Sequence, residues 1–143
     1  MTHPTAVDFE LRIAMPATLR AAEEFLADFR ERSRALLDRV NSFAAELLVR
    51  EALTNAVVHG CHADPAKQVR CRMRLNGGRL LFAVEDDGDG FDWRAACARP
   101  ANFAKCSGRG LGILRLYANR VRYNAAGNGV TFIKRFGEGT QRC

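Results

Sequence analysis

The chain has 143 residues, 48% hydrophobic and 27% charged, with a formal net charge of +6 and a pI near 9.5. That composition suits one globular domain with a real hydrophobic core, and no apolar run approaches the roughly 18 residues of a membrane span. The positive charge fits nucleic acid or an acidic protein, but the aromatic residues are few and not interleaved with the basic ones, so direct nucleic-acid binding is not expected.

Val7, Phe9, Leu11 and Ile13 alternate with Asp8, Glu10 and Arg12, which predicts a half-buried strand broken at Met15-Pro16-Ala17. A helix is expected from about Thr18 to Arg34, with Ala22, Phe25, Leu26 and Phe29 on its apolar face. After a connection around Asp38–Ser42 comes a second helix, Glu46 to His59, rich in Leu and Ala and stopped by Gly60. Glu51 and Asn55 lie one above the other on it, because residues four apart share a helix face. Leu47 and Val58 flank them on one side and Leu48 on the other, so the polar pair is expected to point inward. A buried Glu is costly without a reason to be there. A carboxylate above an amide can take a proton and hold a divalent cation; the bland reading is a capped, half-exposed helix face.

Val69, Cys71, Met73 and Leu75 alternate with Arg70, Arg72 and Arg74, a strand with one basic face that is either solvated or a docking surface. Asn76-Gly77-Gly78 signals a hairpin, and Leu80 to Val84 reads as a central strand feeding into Glu85-Asp86-Asp87-Gly88-Asp89-Gly90. That acidic turn lets backbone approach a ligand closely, and an aspartate there suits an amino group on a base. The turn fails the twelve-position calcium pattern, which needs a closing acidic ligand.

From Asp92 to Lys105 periodicity is weak. Cys106-Ser107-Gly108-Arg109-Gly110-Leu111-Gly112 is glycine-rich and precedes a short helix with Ile113, Leu114, Leu116 and Tyr117, where free N–H groups suit phosphate. Strands begin at Val121 and return over Val130 to Phe136 after a turn at Ala125–Gly129. The expected architecture is α+β, a two-layer sandwich with helices on one face of a mixed, mostly antiparallel sheet. Residues 1–143 read as a single domain with its core at about 7–136. The five cysteines form no C-x-x-C pair and no leader precedes them, so reduced thiols and a cytoplasmic location are expected. His59, Cys61 and His62 match no common zinc spacing.

The combination Glu51-x-x-x-Asn55, Asp86-x-Gly88-x-Gly90 and Gly108-x-Gly110-x-Gly112 resembles the ATP-binding (Bergerat) fold shared by gyrase, heat-shock chaperones, histidine kinases and mismatch-repair ATPases. Within it, Glu-Ala-Leu-Thr-Asn-Ala-Val-Val-His-Gly and the closing Gly-Asn-Gly-Val-Thr-Phe-Ile-Lys-Arg-Phe resemble the bacterial anti-sigma-factor serine kinases. The resemblance covers nearly the whole chain, Phe9 to Phe136, and implies ATP and Mg²⁺ as ligands. It implies that Asn55 coordinates Mg²⁺ and that Glu51 is the general base activating a partner's serine. It implies that Asp86 binds the adenine amino group beside Gly88 and Gly90. Gly108, Gly110 and Gly112, with Leu111 in the same loop, would cradle phosphates. Arg109, helped by Lys105, would neutralise them, Thr131 would support adenine recognition, and Asp92 to Ser107 would form a lid. His59 reads as structural, closing the helix end.

No histidine acceptor precedes Glu46 except His3, ahead of the first strand. The resemblance therefore implies an acceptor on another protein, a STAS-type anti-anti-sigma domain. It also implies a sigma factor as second partner, and suggests a homodimer. The alternative is a nucleotide-dependent protein-binding regulator without kinase activity, or one with a non-sigma target.

Overall fold

The computed structural model describes residues 9–90 and 111–137. Among these residues a single sheet of five strands carries the helices on one face. Its strands are β1 (Phe9–Pro16), β2 (Gln68–Asn76), β3 (Arg79–Asp86), β4 (Arg120–Tyr123) and β5 (Gly129–Arg135), in the order β1-β2-β3-β5-β4. Every pairing among these strands is antiparallel. The helices are α1 (Leu19–Ser33), α2 (Arg39–Thr54), continued by a π-helical turn at Asn55–Gly60, and α3 (Leu111–Tyr117). The α+β expectation is met.

Period-two alternation sorts the sheet residues onto its two faces. Met15, Val69, Cys71, Met73, Leu75, Leu80, Phe82, Val84 and Phe132 turn toward the helices and are buried there. They meet Ala22, Phe25, Leu26 and Phe29 of α1 and Leu48, Val49, Ala52 and Leu53 of α2. Two tilted aromatic contacts tie the layers together, Phe9 to Phe29 at 6.4 Å and Phe25 to Phe82 at 6.0 Å between ring centroids, and a third, Phe82 to Phe132 at 5.7 Å, joins neighbouring strands.

Two boundaries differ from the sequence expectation. β1 does not break at Met15 but runs through Pro16. β1 pairs only with β2, and an edge strand tolerates the missing N–H of proline at its last residue. Helix α2 begins at Arg39, not near Glu46: Asp38 is its N-cap, and its carboxylate accepts from the backbone N–H of Asn41 at 2.7 Å. Val40 and Phe43 in these first turns are each 71% exposed, so the apolar stripe that would mark a helix facing the core starts later.

Thr18 caps α1 by accepting from the Ala21 N–H at 3.1 Å. Thr18→Ala is expected to cost about 1 kcal/mol of stability, read as a lower urea midpoint at unchanged slope. The two long helices are clamped by Glu46, whose oxygens accept from Arg30 Nε at 2.9 Å and from Arg50 at 3.2 Å, while Arg50 also pairs with Glu23. Hydrogen bonding from Arg30 holds the Glu46 carboxyl below its ordinary range. The β2–β3 hairpin closes with Gly77 and Gly78 at φ +56° and +81°, the geometry of a type I′ turn.

Candidate functional site

A cavity of about 200 Å³ opens where the C-terminal end of α2 passes over the ends of β3, β4 and β5. Its helical wall is Ala52, Asn55, Ala56, His59 and Gly60; its sheet floor includes Val84, Asp86 and Val130. The π-helical turn begins at Asn55, where the last α-helical carbonyls give way to wider spacing, and its other end sets Gly60 over Asp86. Such turns recur at functional sites because they re-aim side chains without ending the helix.

Asp86 is the chemical centre of this cavity. It ends β3 on the helical side of the sheet and is only 6% exposed. Its Oδ1 accepts from the Gly88 N–H at 2.7 Å. Asn128 anchors its backbone on both sides: the Asp86 N–H donates to the Asn128 carbonyl, and Asn128 Nδ2 donates to the Asp86 carbonyl, each at 2.9 Å. Burial raises the Asp86 carboxyl above its ordinary value, against the opposing Gly88 hydrogen bond. Any Cβ on Gly60 would strike this carboxylate, and any Cβ on Gly88 would strike the Gly60 carbonyl. Two glycines thus let helix end and acidic turn close on each other around Asp86. The neighbouring Asp87 points the other way, accepting from the Gln68 N–H at 3.0 Å and Arg70 at 2.9 Å.

Asn55 lines the cavity and Asp89 and Gly90 border it. Glu51 is half-buried one turn before Asn55 and is not among the lining residues. Burial raises its carboxyl above the ordinary value, with Arg50 opposing. His59, expected to serve only as a helix end, also lines the cavity. Gly112 sits in the first turn of α3 and Leu111 begins that helix. Gly108, Arg109, Gly110, Lys105 and the stretch from Asp92 to Ser107 lie outside the described residues.

Thr131 requires a correction. It pairs with Ala83 and Arg122, on the face of the sheet away from the helices. It does not line the cavity; Val130, its neighbour, does. Adjacent strand residues point to opposite faces, so a shift of one position decides the matter. Thr131→Val is expected to leave nucleotide affinity within about twofold, whereas Val130→Arg puts a long side chain into the cavity and should abolish binding. Calorimetric titration of both variants checks this.

Several lining residues carry no strong sequence signal: Lys67, Tyr123 and Gly127. Asn128, also in the lining, has one. It lies in an Asn-rich turn, where the Asn124 side chain accepts from the N–H groups of Gly127 at 2.8 Å, Asn128 at 3.1 Å and Gly129 at 3.2 Å. That knot fixes the turn against Asp86.

No helix among the described residues is long and apolar enough to cross a membrane. No curated protein matches the chain. The family model for the histidine kinase-like ATPase domain matches residues 13–134. That span takes in the α2 end, the acidic turn and the β4–β5 hairpin that together build the cavity, and the chain therefore belongs to the histidine kinase-like ATPase family, whose domain binds ATP.

Proposed function

We propose that this domain is an ATP-dependent serine-protein kinase that phosphorylates a STAS-type anti-anti-sigma protein and, once that antagonist is modified, holds a sigma factor. The observation that carries the reading is Glu51: a half-buried carboxylate with raised proton affinity, one helical turn from a cavity-lining Asn55. A protein that only binds nucleotide does not need a base there, which favours transfer over binding alone. Among the described residues no histidine precedes Glu46, which favours an acceptor on another protein over one on this segment.

The proposed roles are those the family resemblance implies, and the placement of the residues supports them. Asp86 accepts from the exocyclic amino group of adenine, in a cavity whose apolar lining of Ala52, Ala56, Val84, Leu114 and Val130 suits the rings. Lys67, in the cavity lining, suits the phosphate chain. Among the described residues no cluster of three or more His, Cys, Asp or Glu forms a cage for a cation. A single amide oxygen from Asn55 nevertheless fits Mg²⁺, which keeps most of its shell from water and substrate phosphates. When bound, Mg²⁺ supplies neutralisation of phosphate charge. In the transfer, the partner's serine oxygen forms a bond to the γ-phosphorus, the bond from that phosphorus to the bridging oxygen breaks, and ADP leaves. Glu51 takes the serine proton.

The test is incubation of the purified chain with γ-labelled ATP, Mg²⁺ and a panel of STAS-domain proteins, followed by mass spectrometry. Phosphoserine on a STAS protein is the expected result. Nucleotide-dependent binding of a partner without transferred phosphate would overturn the kinase reading in favour of a switch that changes partners without chemistry.

A further inference from the structure

The face of the sheet turned away from the helices carries a second cavity, about 650 Å³, which meets the cavity around Asp86 at Val84, Tyr123, Gly129 and Val130 but shares none of its helical residues. Its floor follows one cross-strand row. Arg12, Arg72, Ala83, Thr131 and Arg122 are successive register partners across all five strands. At about 4.8 Å between strands this row is roughly 19 Å long, a trough with small side chains in the middle and guanidinium groups at both ends.

The fold relieves these arginines unevenly: Arg12 reaches Glu10 at 3.9 Å, and Arg72 is held less well. Arg12 and Arg72 sit directly opposite each other, and like charges so placed are destabilising. The Nε of Arg72 is buried and has no hydrogen-bond partner. Arg70 on the same strand is engaged by Asp87 at 2.9 Å and Glu85 at 3.7 Å, and Arg74 reaches Glu10 at 4.0 Å, but no ion pair holds Arg72 or Arg122 among the described residues. A guanidinium fork with open donors is matched best by a carboxylate or phosphate.

The rest of the face narrows the partner. Leu81 and Ile133 are register partners beside the trough, half-buried, and form an apolar strip next to the charges. Phe82 and Phe132 belong to a row that faces the helices, and Tyr123, also in such a row, borders the trough only at its end. The trough therefore offers no row of aromatic rings on which successive bases could stack. A second copy of the chain would bring a like-charged face. From Arg72 to Arg122 is three strand spacings, roughly 14 Å, the rise of about ten helical residues.

We propose that this open face docks an acidic amphipathic helix of a protein partner. Carboxylates about eleven residues apart on that helix, three turns along one face, engage Arg72 with Arg12 at one end and Arg122 at the other, while its apolar stripe covers Leu81 and Ile133. The site lies on the opposite face from the cavity around Asp86 and does not depend on the kinase reading.

The probe is a pair of labelled synthetic helical peptides with a Leu stripe, one carrying two Glu three helical turns apart along its edge and one carrying Gln there. Each is titrated into the full chain by fluorescence anisotropy, with arginine Nε–H resonances followed by NMR. The Glu peptide is expected to bind, to shift the Arg72 Nε–H signal, and to weaken with salt. Arg72→Ala with Arg122→Ala should weaken it by about tenfold or more while ATP affinity, which reports an intact fold, stays unchanged. Equal binding of the two peptides, no binding at millimolar peptide, or wild-type affinity in the double variant each overturns the proposal. So does tighter binding of a single-stranded oligothymidylate, or self-association through this face in sedimentation.

Discussion

Glu51→Gln is expected to lower phosphoryl transfer by about 10²–10⁴-fold, the usual worth of a positioned general base, while nucleotide affinity changes by less than about twofold. The two effects separate because Glu51 does not line the cavity that Asn55 and Asp86 form, so the substitution removes no group from the binding surface. The pH profile gives a second readout. Burial raises the Glu51 carboxyl above its ordinary 4.5, so the ionised form that a general base requires accumulates as pH rises through that raised value. The same shift has a stability consequence of fixed sign. A carboxyl whose folded-state value is raised contributes stability below its unfolded value, and that contribution is lost as pH rises through the folded value. Glutamine keeps the shape and never ionises, so Glu51→Gln should be at least as stable as the wild type at neutral pH. Single-turnover transfer with calorimetric ATP binding and a thermal melt on the same preparation checks all three. Equal transfer rates in wild type and variant would remove Glu51 from the chemistry and leave its burial without a functional reason.

Much of this architecture is legible in the sequence because local signals and tertiary environment agree. The 3.6-residue stripe of Ala22, Phe25, Leu26 and Phe29 is the buried face of α1, and Asn76-Gly77-Gly78 forms the turn its residues favour. Asp86 can be located from the end of the Leu80–Val84 run because a strand that central must end at a sheet edge, where a ligand can reach it. The departures share a cause: each needs information from another element. The start of α2 is hidden because Val40 and Phe43 point to solvent and Asp38 carries the signal alone. Pro16 reads as a strand breaker unless β1 is known to be an edge. The resemblance leads one to expect Thr131 in the cavity, and only the register with Ala83 shows that parity sends Val130 there instead. The contact between Gly60 and Gly88, which links residues far apart in sequence around one carboxylate, has no local signature at all.

Asp86→Asn should separate affinity from stability in opposite directions. Asparagine can still accept the Gly88 N–H through its amide oxygen, and the backbone bonds with Asn128 do not involve the side chain of residue 86. What changes is the second oxygen. If Asp86 takes the adenine amino group as proposed, an NH₂ in its place donates toward a group that also donates, so one charge-assisted hydrogen bond becomes a donor–donor clash. That loss corresponds to about 1.5–3 kcal/mol, roughly 10- to 100-fold in ATP affinity. Without nucleotide the balance reverses. The wild-type carboxylate is buried beside Gly60 with its proton affinity raised above the ordinary 3.8. Its ionisation at neutral pH therefore opposes folding, and the stability it contributes in acid is lost as pH rises through its raised value. The asparagine variant lacks that penalty and should melt higher than the wild type at pH 7, with the gap closing as pH falls and the wild-type carboxyl takes up its proton. Saturating ATP should narrow the difference by stabilising the wild type more strongly through its tighter binding. Melting curves at two pH values with and without ATP contain the whole test. A variant that melts lower than wild type at neutral pH without nucleotide would mean that the Asp86 carboxylate holds the fold together rather than being held, poised for adenine, by the fold.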